Sequence, residues 1–395
     1  MSSPPFLKGG GPPYPPSGNV WPIELIAHLT GCGGGNNKRE NTMTHDTPAS
    51  AGAPISYPFA MLPTAGAPEP IAPGVQWLRL PLPVSLGAIN VWLLADGAGT
   101  TLVDSGIYDE QTVALWRPLL EGTLREAPLS RVIATHLHPD HVGMAGWLTR
   151  HTGSRLWMTR LEYLQGRLLA SDSARTAPEE TLAFYRRAGW DGPTLERYRQ
   201  RFGSFGRMIS PLPDSYRRIR DGERLNIGGH SWEVVVGAGH SPEHACLYDA
   251  DRKLLISGDQ VLPRISSNVS VQPSEPDADP LSDWLESLAT LRRRVPDDVL
   301  VLPSHGKPFR VLHARIEQLQ ADAWGALDRL RAGLHEPARA IDLFTLLFST
   351  AVCNDDPTRF TLATGETLAC LNHLLLRGEV SVSLDEQGVA WYAPL

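Results

Sequence analysis

Cysteine is scarce in this chain. Its 395 residues hold four, Cys32, Cys246, Cys353 and Cys370, with no CxxC spacing among them. That excludes a disulfide framework and a cysteine-built zinc finger, and it predicts reduced thiols in core or loop positions. Long apolar runs are missing too. No stretch approaches 18 consecutive apolar residues, so no transmembrane helix and no membrane partner are expected. Excess basic charge is also absent: Lys plus Arg number 36 against 43 Asp plus Glu, a formal net charge of −7. This speaks against a broad nucleic-acid-binding surface, although a local basic patch can hide within an acidic total. What is present is 42% hydrophobic sequence, enough for one large domain and a smaller one. The expected location is the cytoplasm.

Residues 1–72 are rich in Pro, Gly, Ser and Asn without a hydrophobic period, which predicts a disordered extension. Leu29-Thr30-Gly31-Cys32 has the form of a lipoprotein cleavage box. However, Glu24 and His28 interrupt the segment before it, and Lys8 is the only basic residue there. A signal segment needs a clean apolar run behind a basic start. Met43 is the better candidate for the true start, because Arg39-Glu40 can be encoded with a GGAG run at ribosome-binding distance.

From residue 75 the pattern turns to strands. Val75–Leu82 alternates, and Ala88–Leu94 with Thr100–Val103 predicts a hairpin across Asp96-Gly97. Residues 109–122 read as a helix and Arg131–Thr135 as a short buried strand, followed by a helix from about Pro139 to His151. Two further hairpins are expected, Leu225–Ile227 with Trp232–Val236 and Ala245–Tyr248 with Lys253–Ser257. Val299–Leu302 is the last strand of a main domain spanning 73–311. Many strands with helices between them predict an α/β sandwich of two mixed sheets.

Residues 158–218 read as a helical insertion with breaks at Gly189–Pro193 and Gly203–Gly206. It is a candidate cap, and packing on the outside is an equal alternative. Its aromatics, Phe184, Tyr185, Trp190, Tyr198 and Phe202, can line an apolar pocket or pack the insertion; packing is the preferred reading. Residues 312–395 form a C-terminal unit: a helix Leu312–Leu334, helices at Ala338–Ser349 and Gly365–Arg377, and a hairpin of Val380–Leu384 with Val389–Ala393. Helix, helix, hairpin resembles a winged helix. Its second helix carries Leu368, Leu371, Leu374, Leu375 and Leu376 and one Arg, whereas a recognition helix needs basic and amide side chains. Packing, homodimer formation or pocket closure is therefore expected of it rather than nucleic-acid binding.

The chemistry concentrates in Thr135-His136-Leu137-His138-Pro139-Asp140-His141. Three imidazoles and a carboxylate within six residues make a poor core sequence, because each buried polar group must find a partner. They suit a divalent metal such as zinc, iron or manganese. His136 and His138 are two apart on an extended segment and point the same way. Asp140 and His141 then open a helix and can turn towards a second metal. His240, Asp259 and His305 each sit where an apolar strand meets a Gly-flanked turn. Taken singly they are ordinary turn residues; behind the 136–141 cluster they become ligand candidates.

The order HxHxDH, His, Asp, His on strand-ended loops resembles the metallo-β-lactamase superfamily over roughly residues 75–310. The resemblance implies an αββα sandwich, here with a helical insertion and a small winged-helix-like C-terminal domain. It implies two divalent metals, zinc first, with iron or manganese as alternatives. His136, His138 and His240 would hold one, Asp140, His141 and His305 the second, and Asp259 would bridge both. Asp104 resembles the family aspartate that orients a ligand imidazole through its other nitrogen. A carboxylate at the position of Asp259 points away from true β-lactamases towards the glyoxalase II-like hydrolases, lactonases and phosphodiesterases. The layout looks most like bacterial glyoxalase II-like hydrolases, but the helices that grip glutathione are not recognisable. The implied reaction is attack of a metal-bound hydroxide on a thioester, ester or lactone of a small-molecule substrate. Asp140 would hold the water and pass a proton to the leaving group. Ser105, Ser241 and Ser304 then read as turn residues, and Asn268 as a candidate for the pocket wall. Two alternatives stand beside this: an iron-dependent persulfide dioxygenase-like enzyme, and a nucleic-acid-acting hydrolase or regulator using the winged helix.

Overall fold

The computed structural model describes residues 54–395 apart from Ser85. The first sheet starts with β1 (Glu69–Ala72), β2 (Val75–Pro81), β3 (Ala88–Asp96) and β4 (Gly99–Val103). After α1 (Glu110–Glu121) and α2 (Thr123–Glu126) come β5 (Leu129–Ile133), α3 (Pro139–Val142), α4 (Ala145–Thr152) and β6 (Arg155–Met158). The insertion supplies α5 (Arg160–Ser171), α6 (Glu179–Arg187) and α7 (Gly192–Arg201) before β7 (Arg217–Arg218). The second sheet holds β8 (Arg224–Ile227), β9 (His230–Gly237), β10 (His244–Asp249) and β11 (Leu254–Gly258). It closes through α8 (Pro280–Arg294) with β12 (Leu300–Pro303). The C-terminal unit is α9 (Leu312–Gly333), α10 (Phe344–Leu347), α11 (Pro357–Leu376), β13 (Val380–Leu384) and β14 (Ala390–Pro394).

Both large sheets are mixed, as expected. The seven-stranded sheet runs in the order β1 to β7, antiparallel from β1 to β4 and parallel from β4 to β7. The five-stranded sheet has the order β12-β11-β10-β9-β8 and is parallel only between β11 and β12. Period-two alternation sorts the apolar side chains between layers. Trp77, Trp92, Val103 and Ile133 from one sheet meet Trp232, Val234, Ile256 and Leu302 from the other. Leu78, Leu80 and Val91, one residue out of phase, pack outward with Trp116 of α1 and Leu148 of α4. On the far side Val235, Leu255 and Val301 pack with Leu288 of α8 and with Leu312, Ile316 and Leu319 of α9, continuous with Leu371 of α11. Helix, sheet, sheet, helix is the result.

Four expectations need correction. The predicted disorder of 1–72 falls, for residues 1–53, outside the described residues, and so does the proposed start at Met43. Residues 54–72, however, are tied down: β1 pairs with β2, and the Arg310 N–H donates to the Ser56 carbonyl at 2.9 Å. The helix predicted over Ala338–Ser349 is only a 3-10 turn, Ala340–Leu343, followed by the single turn α10. Phe344 and Leu347 are buried there by tertiary packing rather than by an amphipathic face. Helix α11 starts at Pro357, where Asp356 caps it by accepting from the Arg359 N–H, well before the expected residue 365. Cys246 and Cys370 are buried free thiols as expected, whereas the Cys353 sulfur is engaged in a disulfide.

The insertion's aromatics pack on one another and, through Trp190, on the C-terminal unit. Trp190 stacks on Tyr185, meets Phe360 at 5.1 Å between ring centroids, and donates its indole N–H to Thr364 at 3.0 Å. Among the described residues no helix is long and apolar enough to cross a membrane.

Candidate metal centre

Strands β4 and β5 are parallel, and so are β11 and β12, while β9 lies two antiparallel steps from β11. Their carboxyl ends therefore gather along one edge of the sandwich. Asp104 follows β4, the 135–141 segment follows β5, and His240, Asp259 and His305 follow β9, β11 and β12. His138 is extended (φ −59°, ψ 147°), and Pro139 occupies the first position of α3, where its missing N–H costs nothing. The chain thereby passes from strand to helix within the motif, and Asp140 and His141 turn back towards the strand end.

All seven sequence-predicted ligands are brought together. Ligand atoms of His136, His138 and His240 form one compact group, and those of Asp140, His141 and His305 another. His136 Nε2, His138 Nδ1 and His240 Nε2 lie 2.8, 3.1 and 3.3 Å apart. Nitrogens held by one tetrahedral ion at about 2.0–2.1 Å lie about 3.4 Å from each other, so this triangle has the size of a metal pocket. His305 Nε2 is 3.2 Å from Asp140 and His141 Nε2 3.5 Å from it. Asp259 lies between the groups. Its Oδ2 is 3.6 Å from His240 Nε2 and 3.5 Å from His141 Nε2, while its Oδ1 is 3.5 Å from His305 Nε2.

The distal ring nitrogens are already occupied. His141 Nδ1 donates to Asp104 Oδ2 at 2.9 Å, His240 Nδ1 to the Asn268 carbonyl at 2.7 Å, and His305 Nδ1 to the Ala88 carbonyl at 3.0 Å. With Nδ1 fixed as a donor, Nε2 is the ring nitrogen left facing the cluster. By contrast His141 Nε2, His305 Nε2 and Asp259 Oδ1 are buried without a hydrogen-bond partner. Polar atoms in that state are costly unless something binds them. The donor set, imidazole nitrogen with carboxylate oxygen, fits two divalent ions.

The electrostatics divide in the same way. Burial holds His136 well below its ordinary value and pushes His138 down to about 3, with the neighbouring imidazoles adding to the effect. Burial also opposes charge on His141 and His305, yet nearby carboxylates outweigh it. Asp140, Asp259 and Asp104 raise His141 well above normal, and Asp259 and Asp140 raise His305 to about 10. One half is a neutral nitrogen pocket; the other pairs imidazolium with carboxylate.

Asp104 stands where the sequence places it, touching His141. It is fully buried at φ +62°, a left-handed conformation that Asp tolerates better than most residues. Its Oδ1 accepts the Thr135 N–H at 2.8 Å. Ser105 and Ser241 donate to the His141 carbonyl and to Glu162, and so act as turn residues. Two residues escape the sequence reading. His244, fully buried, accepts the Asp259 N–H on Nε2 at 3.0 Å and so fixes the backbone that carries that carboxylate. A Cβ at Gly258 would lie 2.4 Å from that nitrogen, so the contact requires glycine there. Glu162 of α5 ties the ligand loops together. A lone His in an apolar strand and a Glu in a charged helix carry no signal of such roles.

Residues 84–305 match the family model of the metallo-β-lactamase superfamily, and residues 327–395 that of the metallo-β-lactamase-like C-terminal domain. The chain belongs to the metallo-β-lactamase superfamily. It is similar to the solved structure of a beta-lactamase domain protein from Burkholderia ambifaria, with 42% identity and a TM-score of 0.79, covering 86% of this chain and 98% of that one. A probable metallo-hydrolase of Bacillus subtilis is 26% identical over 61% of this chain and 74% of its own length. An acyl-coenzyme A thioesterase of Gallus gallus is 26% identical over 49% of this chain and 65% of its own. A hydroxyacylglutathione hydrolase of Haemophilus influenzae is 24% identical over 45% and 69%.

Proposed function

We propose that this protein is a dinuclear metal-dependent hydrolase acting on a thioester, with esters and lactones as chemically related substrates. The observation that carries the reading is the position of Asp259. Its Oδ2 lies 3.6 Å from His240 of the three-imidazole pocket and 3.5 Å from His141, and its Oδ1 3.5 Å from His305, so one carboxylate touches ligands of both groups, as a residue bridging two ions would. In this reading His136, His138 and His240 hold one ion, and Asp140, His141 and His305 the other. Divalent metals at such a site lower the pKa of a water to roughly 7 and polarise a carbonyl. The chain's own residues do the rest. Asp140 is the more exposed of the two ligand carboxylates, with 20% of its side chain accessible against 11% for Asp259, so it faces the side from which substrate would arrive. Asp140 would orient the attacking water and hand its proton to the leaving thiolate or alkoxide. Asp104, Asn268 and Ala88 keep three imidazoles aimed, so little reorganisation is needed when charge develops.

Thioesters are preferred because two similar proteins bear the names of thioester hydrolases, acyl-coenzyme A thioesterase and hydroxyacylglutathione hydrolase. Zinc is the first choice of metal, because imidazole and carboxylate donors in this number suit it. The C-terminal unit is read as packing. Helix α11 buries Leu368, Leu371 and Leu374 in the core it shares with α8 and α9, while Leu362 and Leu376 stay exposed. A small-molecule substrate, a cytoplasmic location and no nucleic-acid partner remain part of the proposal. The test is a panel of acyl-coenzyme A and glutathione thioesters, lactones, β-lactams and phosphodiesters, assayed with defined zinc, manganese and iron. Metal-dependent thioester cleavage is the expected result. No hydrolysis with any metal, or oxygen consumption on persulfides with iron alone, would overturn it.

A further inference from the structure

We infer that Glu162 is a positioning residue that joins the two ligand-bearing loops of the three-imidazole pocket into one rigid piece. The inference rests on reading His136, His138 and His240 as a metal pocket. These three come from loops far apart in sequence, after β5 and after β9, which one direct backbone bond joins at their base, the Ala245 N–H to the Thr135 carbonyl at 2.8 Å.

Glu162 spans them. It lies on the first turn of α5, fully buried. Its Oε2 accepts the N–H of Leu137, the residue between His136 and His138, at 2.9 Å. Its Oε1 accepts the Ser241 hydroxyl at 2.6 Å, next to His240, and the Glu243 N–H at 2.8 Å. The start of α5 is fastened to the same loop twice more. Thr159 Oγ1 donates to the Glu243 carbonyl at 2.7 Å, and the Leu161 N–H to the Glu243 carboxylate at 2.8 Å.

The cost of this arrangement is what makes it informative. A carboxylate taken out of water is expensive unless paired, and an apolar side chain of similar volume serves stability better. Here burial pushes the carboxyl up to about 7, and the nearby charge is another carboxylate, Glu243. Three hydrogen bonds from two loops offset the cost only by holding those loops at one fixed separation. Both oxygens are needed, because two backbone N–H groups approach from different sides and neither can turn into an acceptor.

Glu162→Gln separates this role from plain packing. It keeps size and shape, but the amide has one oxygen. Whichever way it turns, its NH2 group confronts either the Leu137 N–H or the Glu243 N–H. The experiment is a titration of the full-length metal-free protein with Co2+, reading the visible absorption bands and competing with a chelator. Wild type is expected to bind two ions. In Glu162→Gln the ion of the three-imidazole pocket should bind about 10- to 100-fold more weakly, with altered absorption bands, while the other ion keeps its affinity, the loss typical of removing a group that supports metal ligands. Tyr163→Phe, which removes the bond from α5 to the Pro213 carbonyl and touches neither ligand loop, should lower Tm and leave both affinities unchanged. If Glu162→Gln does not fold, Ser241→Ala, which removes one donor, should still weaken the same ion selectively. A wild type that binds no metal overturns the reading of the site. A wild type that binds two ions, with a variant that binds them equally well or loses both in parallel, overturns the role of Glu162 alone.

Discussion

Replacing Asp104 by asparagine changes one atom and leaves the backbone alone, since Asn tolerates the left-handed φ of +62° as Asp does. The carboxylate divides its work between two partners. Oδ1 accepts the Thr135 N–H at 2.8 Å and Oδ2 accepts His141 Nδ1 at 2.9 Å. An amide cannot serve both. If its oxygen stays on Thr135, its NH2 meets His141 Nδ1, and the imidazole must move its proton to Nε2, the atom that faces Asp140, Asp259 and the proposed ion. If the amide flips, two buried donors face each other behind His136. In either case the His141 side loses affinity by about 10- to 100-fold, or about 1.4–2.8 kcal/mol. The metal-free protein loses about 1–3 kcal/mol through an unpaired buried donor. Chelator competition reads the first number and denaturant unfolding of the metal-free protein the second. The expected pattern is one ion weakened and one retained. Equal retention of both ions would refute the claim that Asp104 sets the His141 tautomer.

Three further outcomes follow from the same geometry. His138→Ala removes one corner of the nitrogen triangle, so metal analysis should find one ion per chain instead of two and hydrolysis should fall by orders of magnitude; two ions would contradict the ligand assignment. Metal uptake should depend on pH in one half only. His305, held up at about 10 by Asp259 and Asp140 against the opposing effect of burial, must give up a proton to bind. His141, raised well above its ordinary value by the same carboxylates, must lose one too, so the affinity of their shared ion should rise by up to about a hundredfold per pH unit from neutral upward, while His138, pushed down to about 3 by burial, has no proton to lose. Isothermal titration in buffers of different ionisation enthalpy counts the protons released, and pH-independent uptake at both sites would contradict this. Gly365→Ala places a Cβ 2.6 Å from Ser270 Cβ and Oγ. That overpacking should cost about 1–3 kcal/mol in chemical denaturation and disturb the loop whose Asn268 carbonyl holds His240; unchanged stability would count against the close approach of α11.

Much of the site was legible because its residues are out of place in their local context. Three imidazoles beside a buried strand, and His or Asp at Gly-flanked strand ends, cannot be accounted for by packing. The sheets were legible because two-sided burial leaves alternating apolar sets in strands such as β2 and β9. Glu162 and His244 were not legible, because their roles depend on which backbone N–H groups lie opposite them in space. The Ala338–Ser349 segment misled because Phe344 and Leu347 are apolar at helical spacing yet are buried by α9 and α11 rather than by a long helix of their own. The order of residues 54–72 was hidden as well, since Ser56 and β1 are held by backbone pairing that composition does not record.

The central claim is a two-ion hydrolytic centre on seven named residues. The most direct test is metal analysis of the full-length protein after reconstitution, alongside thioester hydrolysis by the same sample before and after chelation. Two divalent ions per chain, loss of activity on chelation and its return with added zinc are the expected results. One ion or none at saturation, or hydrolysis that survives complete metal removal, would contradict it.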